Sequence, residues 1–257
     1  VTKVKTCKPA MGYSFAAGTT DGPGAFNFNQ GTTHDNALWD LVRNFIHKPT
    51  KEQVACHHPK PILLDTGEIQ FPYAWQPSIV ETQIIQIGQL YIVAVPGEFT
   101  TMSGRRLRNA VKQAIQAVEP KSNPIVVIAG LSNTYSDYIA TYEEYQAQRY
   151  EAASTVYGPH TLMAYIQQFT RLSTALAKNS TVSPGPHAPY FVDKLYSFVP
   201  PVIFDSAGIG HSFGEVVKQP NTTYKQGSQV SVIFISAHPR NNMRLGETFL
   251  TVEYFNV

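Results

Sequence analysis

The sequence predicts an α/β portion, a mixed sheet with flanking helices, followed by the start of a β-sandwich that is left incomplete. Three observations support this reading. Two apolar, strand-like runs at residues 90–95 and 125–129 flank an amphipathic stretch that ends at Pro120. After residue 181 the composition turns proline-rich, and beyond Gly227 the hydrophobic period becomes two. Domain boundaries follow: residues 1–181 for the α/β portion, 182–204 for a stiff connector, and 205–257 for the β module.

The chain opens with a glycine-rich segment, GYSFAAGTTDGPGAFNFNQG at residues 12–31, which has no sustained period and reads as a loop where backbone approaches other backbone. It lacks the Lys-Ser/Thr ending of a phosphate loop, so nucleotide binding is not expected. Residues 35–47 form a short helix with Leu38, Leu41, Val42, Phe45 and Ile46 on one face, closed by Lys48-Pro49. His57-His58 sits in a loop after Cys56 and reads as exposed, because one short loop rarely supplies a coordination sphere.

Two strands are expected around Gly88, and the second is apolar enough to be buried on both faces. Pro96-Gly97-Glu98 breaks it and leaves a carboxylate at its C-terminal tip. Leu107, Ala110, Val111, Ala114, Ile115 and Val118 then follow a helical stripe, and the next strand ends at Gly130. In open α/β sheets ligands gather outside the carboxyl ends of strands. Glu98 and the segment after Gly130 should therefore meet.

That segment, residues 135–157, reads YSDYIATYEEYQAQRYEAASTVY and holds six tyrosines among four carboxylates. The density suggests either a polar pocket or an amphipathic face built from tyrosine. Tyr135, Tyr138, Tyr142 and Tyr145 are spaced as one side of a helix, and Thr141 with Glu144 fits a capping box. A carboxylate and a phenol meeting at one point can bind a hard or borderline cation. Two oxygens fall short of a tight zinc site, and neither loop holds a histidine. After Gly158-Pro159 a second long helix is expected, with Leu162, Tyr165, Ile166, Phe169, Leu172 and Leu176 as its stripe. Strands at 230–235 and 249–254 would be a few of the seven or so of an immunoglobulin-like sandwich.

The bulk properties narrow the class. The 257 residues carry a net charge of +2, with 15% charged and 43% hydrophobic residues, which gives no electrostatic reason to expect nucleic acid. No apolar run reaches the length of a membrane span. The start, Val1-Thr2-Lys3, is not a signal peptide, and the missing initiator Met suggests a processed or partial polypeptide. Asn179-Ser-Thr and Asn221-Thr-Thr are glycosylation acceptor patterns. With two otherwise unpartnered cysteines they favour an oxidising compartment, and a Cys7–Cys56 bridge is expected.

Three stretches resemble the neutral ceramidase family: GYSFAAGTTDGPG at 12–24, AVPGEFTTMSGRRLR at 94–108 and TYEEYQAQRYEAASTVYGPHT at 141–161. The chain is most similar to animal members. It resembles the C-terminal portion of their catalytic domain, the connector, and the beginning of their immunoglobulin-like domain. The resemblance implies zinc-dependent hydrolysis of the ceramide amide to sphingosine and a fatty acid. It also implies zinc ligands at Glu98 and Tyr138, with Tyr150 hydrogen-bonding the scissile amide. Tyr142, Tyr145 and Tyr157 match the family without a role and read as packing.

The family's two histidine ligands, the serine of its Gly-Asp-x-Ser-Pro motif and an active-site arginine have no counterpart here, although the chain has eight histidines. A zinc hydrolase needs three or four protein ligands, so this chain alone should be a poor zinc binder and inactive. Two functions are then expected as alternatives. One is part of a ceramide amidohydrolase, completed by the family's N-terminal half and drawing substrate from a membrane or micelle. The other is a non-catalytic binding or interaction module. The implied location is secreted or on the extracellular face of the plasma membrane.

Overall fold

The computed structural model describes residues 3–19, 21–191, 194 and 202–240. The chain divides into two units, Val1–Tyr190 and Phe191–Val257. In the first, β1 (Met11–Gly12) leads into a 3₁₀ turn (Tyr13–Ala17) and a small hairpin, β2 (Gly18–Thr19) and β3 (Gly22–Pro23). Next come α1 (Ala37–Ile46), α2 (Lys51–His57), β4 (Ile62–Leu64), β5 (Gln83–Ile87), β6 (Leu90–Ala94) and β7 (Glu98–Phe99). Then follow α3 (Thr101–Val118), β8 (Ile125–Ala129), β9 (Tyr138–Ile139), α4 (Tyr142–Ala147), α5 (Tyr150–Ala153) and α6 (Thr161–Ala177).

The predicted strand–helix–strand unit is present. β5 and β6 form an antiparallel hairpin with Ile84 opposite Val93 and Ile85 opposite Ile92. Gly88 takes a φ of +59° in the two-residue turn, a conformation that costs glycine little. β6 and β8 pair in parallel, Val93 with Ile128, and α3 provides the crossover. The core lies where this sheet meets α3 and α6: Tyr91, Val93, Leu107, Val111, Ile115, Leu162, Tyr165 and Phe169 are all buried in one cluster.

The sheet is covered on one face only. The face carrying Ile84, Val93, Val126 and Ile128 packs on the helices, whereas Ile85, Ile87, Ile125 and Val127 are exposed and Ile92 is half-buried. Burial of β6 on both faces, expected from its continuous apolar run, is not found. The strand alternates because nothing packs on its second face among the described residues.

α1 shows the same feature. Asn36 caps it by accepting from the backbone N–H groups of Leu38 and Trp39, so it starts at Ala37, two residues later than expected. Its apolar stripe nevertheless points outward, with Leu41 66% and Phe45 94% exposed. The buried side carries Arg43, which donates to the Ile62 carbonyl at 2.9 Å and pairs with Asp40 at 3.0 Å. The glycine-rich opening is less irregular than expected, since it holds the 3₁₀ turn and the β2–β3 hairpin.

The expected bridge joins Cys7 to Cys56, across a sequence separation of 49. Gly158 lies against it with a φ of +84°, and a Cβ there would stand 2.5 Å from the Cys7 sulfur. No described helix is long and apolar enough to cross a membrane.

In the second unit, β10 (Val216–Lys218) pairs antiparallel with β11 (Ile233–Phe234). Of the run expected at 230–235, only Ile233–Phe234 is strand, and an immunoglobulin-like sandwich is not confirmed. The strand expected at 249–254 lies outside the described residues. The described residues of the connector, 182–191, 194 and 202–204, form no strand or α-helix.

Candidate functional site

Glu98 and Tyr138 are placed by the shortest parallel pairing in the molecule's first unit. The chain leaves β6 through Pro96 and Gly97, and β7 then pairs with β9 so that Glu98 is the register partner of Tyr138 and Phe99 of Ile139. The Glu98 N–H donates to the Asp137 carbonyl at 2.9 Å, and the Thr100 N–H donates to that of Ile139 at 3.2 Å. Side chains at matched positions of neighbouring strands project to the same face, so the carboxylate and the phenol stand side by side. Gly97 permits the approach: a Cβ on it would meet the Asp137 carbonyl oxygen at 2.5 Å.

Tyr135 joins them, donating its phenol proton to Glu98 Oε1 at 2.7 Å. Burial first, and then the Glu98 carboxylate, push the Tyr135 and Tyr138 phenols well above the usual range. Both are therefore neutral phenols beside a single carboxylate. Next to them the Tyr150 ring, at the first position of α5, meets Tyr138 edge-on at 5.5 Å and stacks on Phe15 at 6.0 Å. A cleft of about 580 Å³ opens here, lined by Glu98, Thr100, Tyr138, Glu144, Arg149 and Glu151 among others.

The tyrosine stretch is thus split into two populations. The capping box at Thr141 and Glu144 is formed and starts α4. Tyr142 and Tyr145 belong to that helix, but Tyr135 and Tyr138 precede it in a loop and on β9, so the single helical face expected from their spacing is not present. Tyr145 is fully buried, with its hydroxyl 3.0 Å from the His57 carbonyl and 3.1 Å from His57 Nδ1. Tyr157 donates to the Pro77 carbonyl at 2.6 Å, and Tyr142 stacks on His160.

His57 is not an exposed loop residue as its neighbour His58 is. It ends α2 fully buried, with Nε2 2.8 Å from the Lys8 carbonyl. Lys60 is buried as well, donating to the carbonyls of Ala10 at 3.1 Å and Thr155 at 2.7 Å above the Tyr145 ring. Neither residue carries a periodic signal, because each is fixed by backbone carbonyls far away in the chain.

Among the described residues, the one group of three or more His, Cys, Asp and Glu ligand atoms close enough to hold an ion is His47, Asp65 and Glu68. Each of its three side chains already has protein partners. Asp65 accepts from Gln53 Nε2 at 2.9 Å and lies 2.9 Å from His47 Nδ1. Glu68 takes the Lys8 ammonium at 3.2 Å and the Thr50 N–H at 3.1 Å. The residues expected to hold zinc, Glu98 and Tyr138, are not part of this group.

Residues 1–167 match the family model for the neutral/alkaline non-lysosomal ceramidase N-terminal domain, and residues 169–257 match that for its C-terminal domain. The chain belongs to the neutral/alkaline ceramidase family. The neutral ceramidase of Drosophila melanogaster is 54% identical over 98% of the chain, and neutral ceramidase 2 of Arabidopsis thaliana is 55% identical over 97%. The chain spans 36% and 34% of those two proteins, about a third of each. Among solved structures, a ceramidase complexed with C2 superposes with a TM-score of 0.67 at 38% identity, covering 93% of this chain and 36% of that one. The neutral ceramidase of Pseudomonas aeruginosa gives 0.63 at 36% identity, covering 93% and 35%. Within the family's motifs, sequence reasoning singled out Glu98, Tyr138 and Tyr150, which the fold brings together. It missed Tyr135, Phe15 and Thr100, which hold them.

Proposed function

We propose that this chain supplies one part of the active site of a zinc-dependent amidohydrolase that cleaves the N-acyl bond of ceramide to sphingosine and a fatty acid. The observation that supports it most is the register match of Glu98 with Tyr138 beside the Tyr150 ring. The donor chemistry fits zinc in part: a carboxylate and a phenol are acceptable oxygen ligands, and the coordination sphere needs further ones. Those would come from the family's N-terminal half, consistent with the chain spanning about a third of its relatives. The outward apolar stripe of α1 and the open sheet face are surfaces on which such a segment would pack.

When bound, zinc would supply Lewis acidity for activating water and the amide carbonyl. The chain's own residues have distinct tasks. Glu98 provides the negative charge, and its orientation is held by the Tyr135 hydroxyl. Tyr138 would hold the metal through its phenol oxygen, beside Glu98. Tyr150, packed against the rings of Phe15 and Tyr138, donates its hydroxyl proton as a hydrogen bond to the amide oxygen as that oxygen gains charge.

The wider reading follows from the substrate class. Ceramide would be drawn from a membrane or micelle surface. The Cys7–Cys56 bridge and the exposed acceptors Asn179 and Asn221 support a glycosylated protein that is secreted or held on the extracellular face of the plasma membrane. A non-catalytic binding module is the competing reading, favoured by the two-ligand half-site. Metal analysis and ceramide turnover of the protein with its N-terminal half decide between them. Zinc retention, lost in Glu98→Ala and Tyr138→Phe, together with impaired turnover in Tyr150→Phe, is the expected result. A zinc-free, inert protein would establish the module instead.

A further inference from the structure

We infer that Glu144 is a positioning residue that locks Glu98 against Tyr138, an inference that rests on reading those two as metal ligands. β7 and β9 are only two residues long, and so short a ladder is marginal by itself. Beyond its last rung stands the Glu144 carboxylate. A single oxygen, Oε2, accepts from Thr100 Oγ1 at 2.7 Å and from the Thr141 N–H at 2.7 Å. Thr100 is two residues past Glu98, and Thr141 is three past Tyr138. One carboxylate oxygen thereby joins both chain segments immediately after the two proposed ligands.

Both partners are themselves fixed points. Thr100 caps α3 by accepting from the Ser103 N–H, and Thr141 caps α4 by accepting from the Glu144 N–H. The first turn of α3 contains no acidic residue of its own. Glu144 therefore also sets a negative charge by that helix N-terminus, where the helix dipole favours one. Hydrogen bonds to an ionised acceptor are stronger than neutral ones. The Thr100 hydroxyl also lies 2.9 Å from Ser103 Oγ, and its one proton goes to the charged oxygen. The adjacent Arg106–Glu143 ion pair at 2.7 Å is exposed on both sides, so it stabilises little and provides an internal control.

The test uses the full-length protein loaded with zinc and challenged by a graded series of a chelator. Glu144→Ala should weaken zinc retention by about 10–100-fold, the usual cost of losing an outer-shell partner, and should speed amide exchange at Ile139 and Thr141. Glu144→Gln should restore most of it, because both bonds end on one oxygen and an amide oxygen has two lone pairs. Glu143→Ala should change neither quantity. If Glu144→Ala proves unfolded, Thr100→Asp, which keeps the helix cap but removes the hydroxyl donor, should show the same zinc loss. Wild-type protein that holds zinc while Glu144→Ala or Thr100→Asp holds it equally well overturns the positioning role. Lower thermal stability with unchanged zinc retention would do the same. Wild-type protein that holds no zinc instead refutes the ligand reading beneath it.

Discussion

Tyr135 donates its phenol to Glu98 Oε1 at 2.7 Å, while Tyr138, three residues on, is the strand partner of the same Glu98. The carboxylate is therefore flanked by two phenols that burial and its own charge keep protonated. On the proposed ligand set, zinc binding through Tyr138 would expel a proton to the buffer, because an anionic ligand has to be made from a neutral one. Calorimetric titration of the full-length apoprotein in two buffers of different ionisation enthalpy should report about one proton released per zinc from Tyr138. Tyr138→Phe should bind more weakly and release about one proton fewer. An unchanged proton count would remove Tyr138 from the ligand set.

The Cys7–Cys56 bridge closes a long loop around α1, α2 and the β1 strand. In the chain-entropy model a closed loop of about 50 residues is worth roughly 4 kcal/mol. Cys56→Ser should lower the denaturation midpoint accordingly, and reductant should do to the wild type what the substitution does. Gly158→Ala is expected to be nearly as damaging. It combines a left-handed backbone with a Cβ 2.5 Å from the Cys7 sulfur, and either the bridge or the turn before α6 must move.

His57 makes the first unit sensitive to acid. Burial, chiefly, and the Lys60 charge pull its pKa from the ordinary 6.5 down to about 3. Between those values the unfolded chain binds a proton that the folded one refuses, so this group's contribution to stability is lost as pH falls from about 6.5 towards 3. Asp65 acts in the opposite sense. Burial, chiefly, pushes it up to about 6, so its contribution is present at low pH and lost as pH rises from about 4 to 6. His57→Gln should be less stable than wild type at pH 7 yet lose less on acidification. Denaturant titrations at pH 7, 6 and 5 measure this, and parallel curves for the two proteins would contradict it.

Legibility from sequence followed the range of the interactions. The strand–helix–strand unit, the cap of α4 and the meeting of Glu98 with the segment after Gly130 were readable, because periodicity and capping are local and the switch from strand to loop is marked by Pro96-Gly97 and Gly130. The tyrosine spacing misled because Asp137 has a φ of +60°, which breaks any helix before Thr141. The capping box at Thr141 was the one local sign that Tyr142 enters the helix while Tyr138 stays outside it. His57, Lys60 and the Glu68 cluster were illegible for the opposite reason: their partners lie as many as 95 residues away. The open faces of α1 and the sheet show the limit of pattern reading, since amphipathicity says which side is apolar and not what covers it.

Phe15 holds the Tyr150 ring from the opposite end of the chain segment. The 3₁₀ turn puts the Phe15 ring against Tyr150 at 6.0 Å and 24° between planes, while Tyr138 meets it at 5.5 Å and 81°. An aromatic pair of this kind contributes about 0.5–1.5 kcal/mol beyond the area it buries. On the role proposed for Tyr150, Phe15→Ala should therefore leave its hydroxyl free to swing away from the amide oxygen. In the full-length enzyme kcat is expected to fall several-fold, while zinc retention stays as in wild type because Glu98, Tyr138 and Tyr135 are untouched. The role is positional, so the effect should vanish where its object is missing: in a Tyr150→Phe background, Phe15→Ala should cost little further turnover. Additive losses in the double variant would mean that Phe15 acts on substrate directly, as a wall of the cleft, and not through the tyrosine.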